Sequence, residues 1–383
     1  EKAVEGWLDN GGIGIFEMCT GAGKTITAMG CIKELEEKHD KLLVIVAAPY
    51  TNLVDQWQGE ISKWYIDSSI LDKRWTQTIF DEVYTLNNNK DEKALTILIC
   101  THAKFARKEL LKEIEKCKIP TMLIVDEAHH VGSGNTEKDD DGVISTEGAR
   151  KGLSEKYQYR LALSATIDRH HDADGTDFLR KYFMGTTGES TYVYDLKKAI
   201  KNKKLCGYNY YPYFVELTEY EFEEYKKITY RAVRLLHSKN LADRIKGEDL
   251  MILRGKIIRD AEQKMSVFIE IMKEFSDIKH LLVFCSEKQF RRRRTKEGTD
   301  IDGVEEILDN PQENFDYNKR IDYRRIVHDN PKNKKDRMKI LRNFANEVFH
   351  VILANRVLDE GVDVPAAKSC IILASTTNPT QFI

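Results

Sequence analysis

IGIFEMCTGAGKT, residues 13–25, joins an apolar run to a glycine-rich turn that opens a helical stretch. Strand, loop and helix in this order are typical of a phosphate loop, because small residues let backbone N–H groups approach phosphate oxygens and the helix N-terminus adds positive potential. We predict that Lys24 reaches the β- and γ-phosphates of a nucleotide and that the Thr25 hydroxyl ligates Mg²⁺. Met18 stands where the general pattern has its first glycine. The residues expected to wrap the phosphates are Thr20, Gly21, Ala22 and Gly23.

Short apolar runs alternate with amphipathic stretches after this loop. The runs are rich in β-branched residues and unbroken by acidic residues, which predicts buried strands. They are residues 42–48 (LLVIVAA), 96–100 (TILIC), 121–125 (TMLIV) and 160–163 (RLAL). The helical stretches between them are residues 25–38, 53–64 and 103–116. Strand and helix in alternation predict an α/β domain with parallel strands and crossover helices.

Two adjacent carboxylates, Asp126 and Glu127, follow the predicted strand at residues 121–125. Ligands of open parallel sheets bind at the carboxyl ends of the strands. We predict that Asp126 holds Mg²⁺ and that Glu127 orients and deprotonates the attacking water.

The later part of the chain has a different pattern. Residues 218–275 have a helical period almost throughout, and strand-like runs return afterwards at 281–284, 348–353 and 370–373. We predict three segments, 1–217, 218–275 and 276–383, in which two α/β domains flank a helical linking region. The polar stretches 132–142 and 291–331 are predicted to be solvated loops.

The motif order resembles that of superfamily 2 helicases. The matching segments are TGAGKT at Thr20, Ala48-Pro49 with Gln56-Trp57, Thr101-His102, DEAH at Asp126, SAT at Ser164, VFCS ending at Ser286, and EGVDVP at Glu360. The resemblance implies two RecA-like domains that bind ATP with Mg²⁺ and nucleic acid. The second domain is expected to be incomplete, because the arginine-bearing final motif would follow Phe382.

The resemblance also implies roles for single residues. His129 would act with the catalytic residues Lys24, Asp126 and Glu127, and Gly361 and Asp363 would contact the nucleotide. The residues implied in nucleic-acid contact or in coupling are Pro49, Thr101, His102, Ser164, Thr166 and Ser286.

Within the superfamily, GIFEMCTGAGKT and EGVDVP are similar to the group that holds XPB-like and RadD-like helicases and restriction-enzyme motors. That group implies a DNA helicase or translocase in repair, restriction or phage defence. An RNA helicase or RNA-sensing ATPase is an alternative, and a nucleotide-gated binding module without unwinding is another. The glutamine that reads adenine would lie before Glu1, so ATP is implied by the resemblance alone.

Composition limits the other classes of function. Hydrophobic residues make up 41% of the 383 residues and the net charge is −2, so the chain has no global basic field for nucleic acid. Seven cysteines without zinc spacing predict buried free thiols in a reducing compartment, the cytoplasm, nucleoid or nucleus. No apolar run is long enough to predict a membrane span. The chain starts at Glu1 rather than Met, and we expect it to be part of a larger protein.

Three further features have two interpretations each. The pairs His129-His130 and His170-His171 suggest a metal cluster but also flank the helicase motifs. The arginines at 291–294 suit either phosphate contact or a solvated loop. The aromatic run at 208–214 suits base stacking, although its alternation favours packing in a strand.

Overall fold

The computed structural model describes most of the chain. The described residues are 1–64, 68–70, 75–88, 93–132, 137–138, 144–145, 148–169, 172–185, 188–275, 278–285, 289–291, 297–315, 320–327, 334–355, 364 and 366–373. They form two compact units, one built on Glu1–Tyr208 and the other within Asn209–Thr377. The helical stretch at 218–275 falls in the second unit. Among the described residues, no helix has the length and apolar character needed to cross a membrane.

The first unit is an α/β domain around one parallel sheet. Its strands are β1 (Ile13–Met18), β2 (Lys41–Ala48), β3 (Ser68–Ile70), β4 (Ala94–Thr101), β5 (Thr121–Val125), β6 (Glu137–Lys138), β7 (Ile144–Ser145), β8 (Tyr159–Ser164) and β9 (Tyr192–Tyr194). Its helices are α1 (Lys2–Asp9), α2 (Lys24–Lys38), α3 (Thr51–Ile61), α4 (Trp75–Asn88), α5 (His102–Phe105), α6 (Lys108–Lys116), α7 (Ala173–Met184) and α8 (Leu196–Lys201). Two 3₁₀ turns add Ala128–His130 and Gly148–Gly152.

Seven strands form the sheet in the order β3-β4-β2-β5-β8-β1-β9, and every pair in it is parallel. Alternate residues of each strand point to opposite faces. On β2, Leu43, Ile45 and Ala47 join the apolar core under α4, α6 and α7. Leu42, Val44 and Val46 join the core under α1, α2 and α3. The strands therefore read as continuous apolar runs because both faces are covered.

The second unit holds a smaller parallel sheet. Its strands are β10 (Leu281–Phe284), β11 (Gln289–Arg291), β12 (Glu297–Thr299), β13 (Tyr323–Ile326), β14 (Val351–Ala354) and β15 (Ser369–Ile372). Its helices are α9 (Glu219–Leu236), α10 (Leu241–Arg259), α11 (Lys264–Lys273), α12 (Asp300–Asp309), α13 (Pro311–Phe315) and α14 (Lys334–Ala345). The sheet order is β13-β14-β10-β15, with β11 and β12 as a separate antiparallel pair. Two parallel sheets flanked by helices confirm the predicted α/β class.

The predicted loop at 291–331 is wrong over much of its length. It contains α12, α13 and β13, and α12 buries Ile301, Val304, Ile307 and Leu308. These four residues have the spacing of a helix, but the acidic residues between them make the segment polar on average, which favours the prediction of a loop. The predicted helix at 103–116 is also two helices, because α5 buries Phe105 and ends before α6 begins.

The aromatic run at 208–214 does not form a strand. Residues 206–217 carry no helix or strand, and Tyr208, Tyr211 and Phe214 are exposed. An alternating sequence favours extended chain, but a strand also needs a neighbour with which to pair. Two cysteines, Cys206 and Cys370, are exposed, so the prediction of buried thiols fails for them. The other five cysteines are buried, and no disulfide joins any of the seven.

Candidate active site

Three neighbouring strands bring the predicted nucleotide residues together. β8 lies between β5 and β1, so the carboxyl ends of all three strands meet at one sheet edge. The phosphate loop follows β1, the Asp126–Glu127 pair follows β5, and Ser164 ends β8. These three segments are far apart in the sequence, but the parallel pairing of β1 and β5 with β8 brings their ends close together.

The phosphate loop has the backbone that its glycines permit. Gly21 has a φ of 77° and Gly23 a φ of 92°, both in the left-handed region that other residues avoid. Gly23 ends the loop, and α2 begins at Lys24. The first N–H groups of α2 have no intrahelical partner and can donate to an anion.

Lys24 and Glu127 form an ion pair across the site. The Lys24 Nζ atom donates to Glu127 Oε1 at 2.8 Å, and the two side chains are 11% and 25% exposed. Burial alone would raise the pKa of Glu127, but the charge and hydrogen bond of Lys24 lower it below its ordinary value. Glu127 has a φ of 45°, which is unusual for a residue with a side chain. The carboxylate predicted to accept a proton is therefore ionised and held by the predicted phosphate-binding lysine.

Asp126 is held at both carboxylate oxygens. The Trp57 indole nitrogen donates to Oδ2 at 2.8 Å, and the Glu127 backbone N–H donates to Oδ1 at 3.0 Å. Burial, together with the charge of Glu127, raises the pKa of Asp126. His102 Nε2 lies 2.9 Å from the backbone oxygen of Asp126, and since a carbonyl only accepts, Nε2 carries the proton.

A chain of hydrogen bonds connects His129 to β8. The Ser164 Oγ atom donates to the Thr166 backbone oxygen at 2.5 Å, so its lone pairs accept from His129 Nδ1 at 2.9 Å. His129 Nδ1 also lies 3.5 Å from Glu127 Oε2. Burial, reinforced by His130, lowers the pKa of His129 to about 4 and keeps the ring neutral at pH 7.

Glu17 and Arg180 fix the loop after β8, and sequence reasoning missed both. Glu17 Oε1 accepts from the Ile167 backbone N–H at 3.0 Å. Arg180 Nη2 lies 2.7 Å from Asp168 Oδ1 and 3.7 Å from Glu17 Oε1. The available signal was a single carboxylate inside the otherwise apolar strand β1, because such a group needs a partner when it is buried.

The residues predicted to contact nucleic acid lie in several environments. Pro49 follows β2 and is half-buried. Thr101 is buried, and its hydroxyl accepts from the Lys104 backbone N–H as the cap of α5. His102 is buried against Asp126. Ser286, Gly361 and Asp363 lie outside the described residues, as do His170 and His171.

The described residues contain no group of three or more His, Cys, Asp or Glu side chains arranged to hold a metal ion by themselves. The alternative of a metal cluster at His129–His130 therefore has no support in this part of the chain.

Comparisons with known proteins address the family of the chain. Residues 1–169 match the family model of the type III restriction enzyme res subunit, and residues 263–383 match that of the helicase conserved C-terminal domain. The chain is 25% identical to the DNA 3'-5' translocase XPB2 of Sulfurisphaera tokodaii, over 100% of this chain and 75% of that protein.

Two solved structures have the same fold. The Hef helicase domain of Pyrococcus furiosus aligns with a TM-score of 0.52 at 14% identity, over 98% of this chain and 89% of that one. The type ISP restriction-modification enzyme LlaBIII, solved bound to DNA, aligns with a TM-score of 0.57 at 15% identity, over 99% of this chain and 25% of that one. These likenesses confirm the two RecA-like domains predicted from the motifs.

The predicted family is thus confirmed by the res-subunit and helicase C-terminal family models together and by a relative aligned along the whole chain. The chain belongs to superfamily 2 of the helicases, which are nucleic-acid-dependent ATPases, and it is related to XPB and to the motors of restriction enzymes.

Proposed function

We propose that this chain is an ATP-driven DNA motor that translocates along DNA or unwinds it. The observation that carries the proposal is the convergence of Lys24, Asp126 and Glu127 at the edge of one parallel sheet. The relative XPB2 is a DNA translocase, and LlaBIII was solved with DNA, which supports DNA over RNA as the track.

Magnesium suits the charge of this site. Asp126 and Glu127 carry two negative charges beside the single positive charge of Lys24, and the charge of Glu127 contributes to the raised pKa of Asp126. A divalent cation would relieve this excess. We assign the ion to the Thr25 hydroxyl and the Asp126 carboxylate, where it would neutralise phosphate charge when bound.

ATP hydrolysis further needs groups that position the phosphates and one general base that accepts a proton from water. Backbone N–H groups of Thr20, Gly21, Ala22 and Gly23 would surround the phosphates, and Lys24 would leave Glu127 for the β- and γ-phosphates. Glu127, freed from the ion pair, would take a proton from the attacking water. The water oxygen bonds to the γ-phosphorus as the bond to the β,γ-bridging oxygen breaks, giving ADP and inorganic phosphate.

The chain of hydrogen bonds through His129 suits the coupling of ATP hydrolysis to movement of the loop after β8. Because His129 donates to Ser164 and Ser164 to the Thr166 carbonyl, a change at Glu127 can be transmitted to the loop after β8. We retain Pro49, Thr101, His102 and Ser286 as proposed nucleic-acid or coupling residues. Gly361 and Asp363 remain proposed contacts to the nucleotide.

We further propose a role in repair, restriction or phage defence, in the compartment that holds the DNA, and with further domains or subunits. The support is the relationship to XPB and to restriction-enzyme motors.

ATP turnover of the full chain, measured with duplex DNA and with duplex RNA at one salt concentration, tests the proposal. We expect DNA to raise kcat by about tenfold or more, and Lys24→Ala to abolish turnover because it removes the main phosphate contact. Lys116→Ala is the matched control, since Lys116 forms an exposed ion pair with Glu113 at 2.6 Å on α6.

Greater stimulation by RNA than by DNA would establish the RNA alternative. Turnover that neither nucleic acid changes, or wild-type turnover by Lys24→Ala, would refute the proposed motor.

A further inference from the structure

Trp57 donates a buried hydrogen bond to the carboxylate that we assign to magnesium. It lies on α3 with its side chain fully enclosed, 1% exposed, and its indole nitrogen is 2.8 Å from Asp126 Oδ2. Leu53, Val54 and Ile61 fill the same face of α3 with apolar side chains. Tryptophan adds to such packing an N–H group that can only donate, and here it points at an ionised oxygen.

His102 holds the same residue from a second direction. Its Nε2 donates to the Asp126 backbone oxygen at 2.9 Å, and the ring is buried at the start of α5. The Glu127 N–H completes the set at Oδ1, 3.0 Å away. Both the carboxylate and the backbone of Asp126 are thus fixed by protein donors.

We propose that Trp57 is a positioning residue for Asp126, with His102 as its partner, and that together they set the strength of magnesium binding. This inference rests on the proposed function, because it takes Asp126 as the magnesium residue. Replacing a donor that orients a metal-binding side chain typically lowers metal affinity or activity by about 10–100-fold.

The two donors also lie on segments that the resemblance places next to nucleic acid. α3 follows β2 and Pro49, and α5 follows β4 and Thr101. The resemblance to superfamily 2 assigns the starts of both segments to nucleic acid. One hydrogen bond from each segment reaches Asp126, so a displacement of either segment by nucleic acid acts directly on the magnesium residue.

Trp57→Phe removes the indole N–H and keeps most of the ring. Trp7→Phe is the matched control, because Trp7 is fully buried in the same core cluster and its indole donates to the Arg160 backbone oxygen at 3.0 Å. Both variants lose one buried indole hydrogen bond, but only Trp57→Phe loses one at Asp126.

The measurement is binding of a fluorescent non-hydrolysable ATP analogue, with Mg²⁺ and with EDTA. We expect Trp57→Phe to lose about tenfold or more of the affinity measured with Mg²⁺ and to keep the affinity measured in EDTA. Trp7→Phe should change neither. If the affinity of Trp57→Phe with Mg²⁺ equals that of Trp7→Phe, the proposal is overturned.

A second measurement uses the wild-type chain and does not depend on the folding of Trp57→Phe. The chain has four tryptophans, so ¹⁵N labelling gives four indole resonances, assigned by replacing Trp7, Trp64 and Trp75. The Trp57 resonance should shift when the analogue binds with Mg²⁺ and stay in place when it binds in EDTA. An unmoved resonance would count against the proposal.

Neither experiment contains nucleic acid. Failure of this inference is therefore distinct from failure of the proposed motor, which would appear as ATP turnover indifferent to DNA.

Discussion

Glu127→Gln should make the protein bind ATP more tightly and fold less stably at the same time. In the structure Lys24 Nζ is paired with Glu127 Oε1 at 2.8 Å, and neither side chain is more than 25% exposed. Nucleotide must break this ion pair before Lys24 can reach a phosphate. Glutamine keeps the shape of the side chain but removes its charge, so the pair is weaker before nucleotide arrives.

The size of both effects follows from one hydrogen bond. A hydrogen bond to a charged group contributes about 1.5–3 kcal/mol. Glu127→Gln should therefore lower the free energy of unfolding of the nucleotide-free chain by about 1.5 kcal/mol or more. Because about 1.4 kcal/mol corresponds to tenfold in affinity, the Kd for ATP should fall about tenfold. Loss of the base should lower kcat by about 10²–10⁴-fold.

The assays are urea unfolding without nucleotide, equilibrium binding of a fluorescent ATP analogue, and steady-state ATP turnover. Glu113→Gln is the control, since it removes the charge of an exposed ion pair with Lys116 on α6 and should change none of the three. If Glu127→Gln unfolds at the wild-type urea concentration and binds nucleotide no more tightly, the ion pair does not restrain Lys24 and the reasoning is refuted.

Two further predictions concern single residues of the first unit. Burial lowers the pKa of His102 from 6.5 to about 3. Between these two pH values the His102 ring binds a proton only in the unfolded chain. The free energy of unfolding therefore falls as the pH drops, by about 1.4 kcal/mol per pH unit. His102→Asn should remove that slope between about pH 6 and about pH 4 in urea unfolding, and a slope equal to that of the wild type would contradict the burial argument. Gly23 has a φ of 92° and open space around the position of a Cβ atom, so Gly23→Ala should lower the free energy of unfolding by about 1–2 kcal/mol through the backbone alone. Gly59, also in open space but within α3, is its control, and Gly59→Ala should instead raise stability by about 0.5–1 kcal/mol; equal effects at the two glycines would contradict the assignment.

Much of the first unit could be predicted from the sequence because its signals are local. The apolar run at 121–125 is the strand β5 as observed, and the loop ending at Lys24 opens α2 as its glycines require. The sheet edge where these segments meet follows from the rule for open parallel sheets.

The contacts that fix the site were harder to predict. The bond from Trp57 to Asp126 joins residues on different elements, and no spacing along the chain indicates it. The resemblance implies nucleic-acid contact or coupling for His102, but it gives no indication that the ring is buried against Asp126. The parallel pairing of β2 with both β4 and β5, together with the crossover helix α3, brings these three residues together.

The segment that contains α12 was missed for a different reason. Its four apolar residues have helical spacing, but they are separated by Asp302, Glu305 and Glu306, which lower the average hydrophobicity of the segment. Glu305 and Asp302 form ion pairs with Arg325 of β13. The charges that favour a solvated loop in the sequence therefore connect α12 to β13 in the structure.

The most direct test of the central claim is an experimental structure of the chain with Mg²⁺ and a non-hydrolysable ATP analogue. We predict that Lys24 Nζ leaves Glu127 Oε1 for the β- and γ-phosphates and that the metal lies between the Thr25 hydroxyl and the Asp126 carboxylate. A nucleotide bound elsewhere, or a Lys24 that stays on Glu127 with the analogue present, would contradict the account.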